Sequence, residues 1–311
     1  MKLGFLYAGQ GAQHAGMGAD LYEAYPAFRA ILDKANAGFD VKSVSFADPD
    51  GLLDRTEYTQ PCMVAFAVGL TAVLREKGII PAATAGLSLG EYSALCAAGV
   101  FDGETAIRLA AFRGRAMAKA AEGIPCAMTA VLGLDREPLL DACREASALG
   151  VVEACNFNCP GQIVIGGEKA AVERAGALAK EKGAKRCLPL RVSGPFHTSL
   201  LKSAGDALRE YFTGMDFSTP SIPVLFNCLG GPMGEGDTIP ALLERQVQSS
   251  VYMEDCIRAM AALGVDAVVE IGPGKALSGF LRKTVPALPV FAVETAADVE
   301  ALPEFLKGVC S

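Results

Sequence analysis

The stretch AATAGLSLGEYSALCAAGV, residues 82–100, carries three patterns in succession. The small and apolar run AATAGL reads as a buried strand, GLSLG as a tight turn, and LGEYSALCAAGV as a helix. A strand, a sharp turn and a helix with Ser88 at the centre of G-x-S-x-G is the context in which a serine nucleophile is held at the end of a parallel strand. Such a turn crowds any Cβ two residues away, which gives Gly86 and Gly90 a steric reason to be glycine. The helix that starts there aims its free N–H groups and the positive end of its dipole at the serine oxygen. A bare G-x-S-x-G also arises by chance in a chain with 34 glycines, so Ser88 needs its partners elsewhere.

On both sides of this stretch, short β-rich runs alternate with longer helical ones, the signature of an α/β fold on a largely parallel sheet. Strands are predicted at Lys2–Tyr7, Ala83–Leu87, Ile222–Asn227, Ala267–Ile271 and Leu288–Val293, and helices at Tyr58–Lys77, Asp102–Ala121 and Ser199–Phe212. From CAMTAVLGL (126–134) the rhythm changes. A strand, the helix DREPLLDACREAS, the strand VVEACNFN, the turn CPG, the strand QIVIGG, the helix EKAAVERAGALAKEKG and the strand AKRCLPL follow in turn. That β-α-β-β-α-β order is the ferredoxin-like unit. The expected organisation is a discontinuous α/β catalytic body, 1–124 and 193–311, with a small ferredoxin-like subdomain inserted at 125–192. The cleft between them is the natural place for a site.

Composition narrows the function classes. With 51% hydrophobic and 20% charged residues, 311 residues make a folded chain with ample core. No apolar run reaches the roughly 18 residues of a membrane span. MKLGFLYAGQGAQ reads as a first strand entering a loop, not as a signal peptide. The ten cysteines are scattered beside Ala and Leu, as buried thiols in a reducing compartment are. Cys155 and Cys159 form only a C-x-x-x-C, and His14 and His197 are the two histidines, which argues against a zinc site. A formal charge of −7 argues against nucleic acid as the main partner. A cytoplasmic protein without metal is expected, and its size and polar helix faces are compatible with a monomer.

A serine hydroxyl needs a base. His197 lies in VSGPFHTSLL, a Gly-Pro loop ahead of a helix that Thr198 or Ser199 can cap. It also follows the serine in chain order, as the base does on such sheets. His14 sits in GQGAQHAGMG, too close to the first strand to offer a base on a defined arm. The GQGAQ loop itself directly follows that strand, so one of its amides, with the amide after Ser88, can form a two-donor oxyanion hole. Two phosphate-loop readings fail. His14 occupies the third glycine position of a dinucleotide fingerprint, and GPGKA near Lys275 lacks the upstream Gly and the following Ser or Thr of a P-loop.

The helix DGETAIRLAAFRGRAMAKAA, at ~100° per residue, puts Glu104, Arg108, Arg115, Lys119 and Glu122 on one solvated stripe. Arg113 falls on the other side, among Ala106, Leu109 and Met117. An interior guanidinium has to meet an anion. That anion is either a buried Asp or Glu or the carboxylate of a substrate, which suits the planar fork of arginine.

Taken together, GQGAQ, GLSLGEYSAL, RGRAM, NFNCPGQIVIGG, PFH, RQVQSSV and EIGPGKALSGF resemble the malonyl-CoA:acyl-carrier-protein transacylases, in order and across essentially the whole chain. The resemblance implies a hydrolase-like core with an inserted ferredoxin-like subdomain. It implies Ser88 as nucleophile, His197 as base, and Arg113 as the grip on the malonyl carboxylate. Gln10 and Leu89 match the residues whose backbone amides form the oxyanion hole. Gln246 matches a glutamine lining the site near the base, where a main-chain carbonyl, not a carboxylate, orients the histidine. Malonyl-CoA and an acyl carrier protein are the implied partners, with the CoA thioester as substrate and no cofactor. Phe196, just before the base, points to a small acyl pocket. Lys185–Arg186 and Arg282–Lys283 are candidate docking charges for an acidic carrier. The chain departs from the family at Leu87, where many members have His, at the Ala before Gly9 where Pro is frequent, and at Ser250 and Met253, where Pro and Trp are frequent.

Two other classes share part of this equipment. A serine hydrolase or thioesterase needs the elbow and base but gains nothing from Arg113. A non-catalytic carrier-binding module needs neither Ser88 nor His197.

Overall fold

A computed structural model describes residues 1–309. Its strands, in chain order, are β1 (Leu3–Tyr7), β2 (Ala83–Gly86), β3 (Cys126–Leu132), β4 (Val152–Cys159), β5 (Gln162–Glu168), β6 (Arg186–Pro189), β7 (Val224–Phe226), β8 (Gly231–Pro232), β9 (Ala267–Ile271) and β10 (Val290–Val293). They form two sheets, a six-stranded one ordered β10-β9-β1-β2-β7-β8 and a four-stranded one ordered β4-β5-β3-β6.

The larger sheet is parallel except for β8. Its central segments LGFLY, ATAG and AVVEI are buried at every residue, because helices cover both faces of the sheet. Tyr7 pairs with both Gly86 and Ile271, so β1, β2 and β9 end level with one another. The GQGAQ loop, the Ser88 turn and the GPGK loop therefore leave the sheet along one carboxyl edge, where α/β folds bind ligands. Two strands begin later than the sequence pattern indicates. β7 starts after Pro223 and β10 after Pro289, and proline has no N–H with which to open a ladder.

The small sheet is antiparallel throughout. In the order of the β-α-β-β-α-β unit its strands lie 2-3-1-4, and helices Arg136–Ala146 and Lys169–Glu181 cover one face. The period of two is visible in its packing. Val131, Ile163 and Ile165 face those helices with Leu139, Val172 and Leu178, whereas Met128, Ala130 and Val164 join the core of the larger body.

The two sheets are stitched together at residues 250–252. Val251 forms a bridge with Asn156 on β4, donating to Cys155 O and accepting from Phe157 N at 2.8 Å each. The next amide, that of Tyr252, donates to Asn227 O just beyond β7. No described helix is long and apolar enough to cross a membrane.

Candidate active site

Ser88 has φ of 54°, in the left-handed region that costs an L-residue on the order of 1–2 kcal/mol. The turn is too tight for side chains on either flank. A Cβ on Gly86 would lie 2.0 Å from Gly90 C, and one on Gly90 would lie 2.4 Å from Tyr7 O. Helix Gly90–Ala97 starts at once, with Glu91 N donating to Ser88 O at 3.1 Å. The Ser88 amide is already taken, since it donates to Asn227 Oδ1 at 2.7 Å.

His197 reaches the turn from the 190–198 loop, itself with φ of 63° and only 4% exposed. Its Nε2 lies 2.7 Å from Ser88 Oγ and its Nδ1 2.9 Å from Gln246 O. A carbonyl only accepts, so Nδ1 carries the hydrogen and Nε2 turns its lone pair toward the serine hydroxyl. Burial, and then the nearby charge of Arg113, push the imidazole down to about 4, which keeps it neutral. The segment after His197 is capped differently from the sequence expectation. Thr198 Oγ1 donates to Pro195 O, and a short 3-10 turn, Ser199–Leu201, precedes helix Lys202–Phe212. Glu153 on β4 accepts from both Ser199 N and Ser199 Oγ, so the cap comes from the other sheet.

Arg113 is fully buried on helix Gly103–Ala121, while Glu104, Arg108, Arg115, Lys119 and Glu122 are exposed. Gly114 makes this position possible, because a Cβ there would lie 2.8 Å from Thr56 O at the start of helix Thr56–Glu76. The close crossing brings Gln60 to the guanidinium. Nη1 donates to Gln60 Oε1 at 2.7 Å, while Nη2 donates to Ser88 Oγ at 3.0 Å and to Gln246 Oε1 at 2.9 Å. The Tyr92 ring lies 5.6 Å away, and Nε has no partner. None of these acceptors is charged. The nearest acid in electrostatic terms, Glu91, is pushed up to about 8 by burial and is mostly protonated at neutral pH. The structural alternative raised by the sequence, a buried carboxylate paired with Arg113, is absent among the described residues.

Gln246 joins these parts. Its carbonyl orients His197, its Oε1 accepts from Arg113, and its Nε2 donates to Ser88 O at 2.9 Å. It and Arg113 are completely buried behind Ser88, whereas Ser88, His197 and Phe196 line a cleft of about 350 Å³. One wall is the loop 8–12 with Leu87, Pro273 and Phe280, and the other carries Met128, Asn156, Asn158 and Val164 of the small sheet. The Gln10 side chain is tied back to Thr56 Oγ1 at 3.0 Å. Neither the Gln10 nor the Leu89 amide donates within the described residues, and with the Ser88 amide occupied these two remain for an oxyanion. His14 stays outside, half-exposed and paired with Glu294 at 2.6 Å.

The GPGK loop is closed to phosphate for a physical reason. Glu270 accepts from Leu277 N at 2.9 Å and Ser278 N at 2.7 Å, so a carboxylate already fills the helix N-terminus. Among the departures, Leu87 lines the cleft, Ser250 donates to Ala154 O, and Met253 is buried in the core away from the cleft. Gln60, Glu91 and Asn227 were not singled out by the sequence. Gln60 stands next to a proline inside a helix, Glu91 reads as an ordinary first-turn acid, and Asn227 ends a short strand, so none announces a tertiary partner.

The acyl transferase domain family model matches residues 4–308. The malonyl CoA-acyl carrier protein transacylase of Haemophilus influenzae is 42% identical over 98% of this chain and 99% of its own. The crystal structure of the transacylase of that name from Clostridium perfringens superposes with a TM-score of 0.95 at 38% identity, covering 99% of this chain and 98% of its own. A malonyl-transacylase solved in complex with a type II polyketide acyl-carrier protein gives 0.93 at 39% identity, covering 98% of this chain and 99% of its own. The chain thus belongs to the acyl transferase domain family, among the malonyl CoA-acyl carrier protein transacylases.

Proposed function

We propose that this protein moves a malonyl group from CoA to the phosphopantetheine thiol of an acyl carrier protein, by ping-pong transfer through Ser88. As Ser88 Oγ attacks the thioester carbonyl, His197 Nε2 takes its proton. The amides of Gln10 and Leu89 hold the oxyanion, each such donor contributing on the order of 10²–10³ in rate. Collapse breaks the C–S bond, and His197 returns the proton to the departing CoA sulfur. The carrier thiol then gives its proton to His197 and attacks the malonyl-Ser88 ester, and Ser88 Oγ leaves with that proton. The thioester is a substrate, and no step needs a cofactor.

The observation that carries this reading is the buried Arg113 cation, bonded to Ser88 Oγ and to neutral amides only. Once Oγ is acylated, the Nη2 hydrogen now spent on it and the second Nη1 hydrogen are free for the two carboxylate oxygens of a malonyl group. Phe196 limits the acyl length. The division into a catalytic body, 1–124 and 193–311, and a 125–192 subdomain belongs to the same proposal, as does cytoplasmic location.

The carrier docks at the cleft mouth in this reading. Lys185 and Arg186 are exposed, Lys185 just before the edge strand β6 and Arg186 at its start, beside the exposed Leu188, Leu190 and Val192, and the last two line the cleft. Arg282 and Lys283 are exposed on helix Ala276–Thr284, whose Phe280 lines the opposite wall. Intact mass after mixing with malonyl-CoA and no acceptor tests the chemistry. A long-lived adduct on Ser88 is expected. Rapid CoA release without adduct would instead make this a hydrolase, and no reaction would make it a binding module.

A further inference from the structure

Between β2 and β7 the parallel ladder is regular until the Ser88 turn. Thr84 N donates to Pro223 O at 2.9 Å, and Thr84 and Ala85 pair with Val224 and Leu225. In a parallel ladder the same pattern repeats every two residues. Its next rungs would have Asn227 N donate to Gly86 O and Asn227 O accept from Ser88 N. Both acceptor and donor are satisfied, but by the wrong atoms. The side chain of Asn227 does the work instead: Nδ2 donates to Gly86 O and Oδ1 accepts from Ser88 N, each at 2.7 Å.

The displaced main chain of Asn227 has partners of its own. Its N–H donates to Glu91 Oε2 at 2.6 Å, on the helix that the Ser88 turn launches, and its carbonyl accepts from Tyr252 N at 2.8 Å. Asn227 and Glu91 are both fully buried. A closed ring results, running from Gly86 through Ser88 to Glu91 and back through Asn227.

We propose that Asn227, held by Glu91, is a positioning residue for acyl transfer: its side-chain amide replaces a ladder rung and so fixes the left-handed backbone that points Ser88 Oγ at His197 and Arg113. A backbone rung would have drawn the chain onward as strand, whereas a side chain reaches the same two groups while the main chain turns away. It also consumes the Ser88 amide, which assigns the oxyanion to the following residue. The proposal rests on Ser88 being the group that is acylated.

Asn227→Asp separates positioning from mere stability. A neutral carboxyl presents one O–H donor and one carbonyl acceptor, as the amide does, while a carboxylate can only accept and faces Gly86 O. The titratable groups nearby are Glu91 from the elbow helix, bonded to the Asn227 main-chain amide, Cys256 from helix Met253–Ala262, bonded to Phe226 O, the adjoining Cys228, and Arg113 and His197, both bonded to Ser88 Oγ. Single-turnover acylation by malonyl-CoA should match wild type within about threefold near pH ~5.5 and fall roughly 10- to 100-fold behind near pH ~8.5, with KM unchanged. A variant-to-wild-type ratio that stays constant with pH, in protein that remains folded by thermal melting at both values, overturns the proposal. If the variant does not fold, Glu91→Leu decides. It strips the acceptor from Asn227 N without touching substrate, and a lower kcat at unchanged KM is expected, whereas wild-type kcat overturns the idea. Absence of any adduct on wild-type Ser88 would instead overturn the transfer reading itself.

Discussion

Arg113 Nη2 stands 3.0 Å from Ser88 Oγ, and the guanidinium's other hydrogen-bond acceptors are the side-chain carbonyls of two glutamines. Isolated burial of such a cation costs several kcal/mol. The protein tolerates it because the polar fork is held by Gln60 and Gln246. Arg113→Ala should lower kcat/KM for malonyl-CoA by roughly 10²–10³, the worth of two charge-assisted hydrogen bonds, and change acetyl-CoA use far less. Arg113→Lys should recover little, because a point charge cannot fork. Competition between malonyl- and acetyl-CoA reads the result, and an unchanged preference would remove the clamp from the mechanism.

His197 keeps its lone pair well below neutral pH. The imidazole is held down at about 4, so acylation should stay level from about pH 8 to about pH 5 and fall only as the base protonates. The same shift sets a stability slope. Between about 4 and the ordinary 6.5 the unfolded chain binds a proton that the folded one refuses, so acidification through that window favours unfolding. Denaturant titrations across it should show wild type losing stability relative to His197→Ala as pH falls.

Glu91 has the opposite sign. Its carboxyl is raised from 4.5 to about 8, so the folded chain keeps a proton that the unfolded one has released. Stability should therefore decline as pH rises through that interval, by up to about 1.4 kcal/mol per pH unit from this group. Glu91→Gln should remove the decline. Chemical denaturation of both proteins at pH ~5 and ~8 checks it, and parallel curves would mean that Glu91 is ionised in the fold.

Reversing Lys185 and Arg186 to Glu should slow malonyl transfer to the carrier about tenfold or more, with the effect shrinking at high salt. Both side chains are exposed, and acylation of Ser88 by malonyl-CoA should be untouched. Stopped half-reactions separate the two steps. Equal losses in both would place the carrier elsewhere.

The sequence by itself determined the pieces whose cause is local. Gly86 and Gly90 are dictated by a turn in which a Cβ has no room, and the β-α-β-β-α-β pattern by short-range periodicity. Arg113 was legible as a misfit because a helix repeats every few residues, and a charge on the apolar face breaks the repeat. What holds these groups came only from tertiary structure. Gln246 presents its main-chain carbonyl to a histidine 49 positions away, and Asn227 reaches a serine 139 positions away. The cap on Ser199 comes from Glu153 on β4 of the small sheet, 46 positions away. A backbone carbonyl belongs to every residue, and an amide or acid in an apolar run looks the same whether it braces a turn or merely ends a strand. Such partners are chosen by where folding brings the chain together, which no local pattern records.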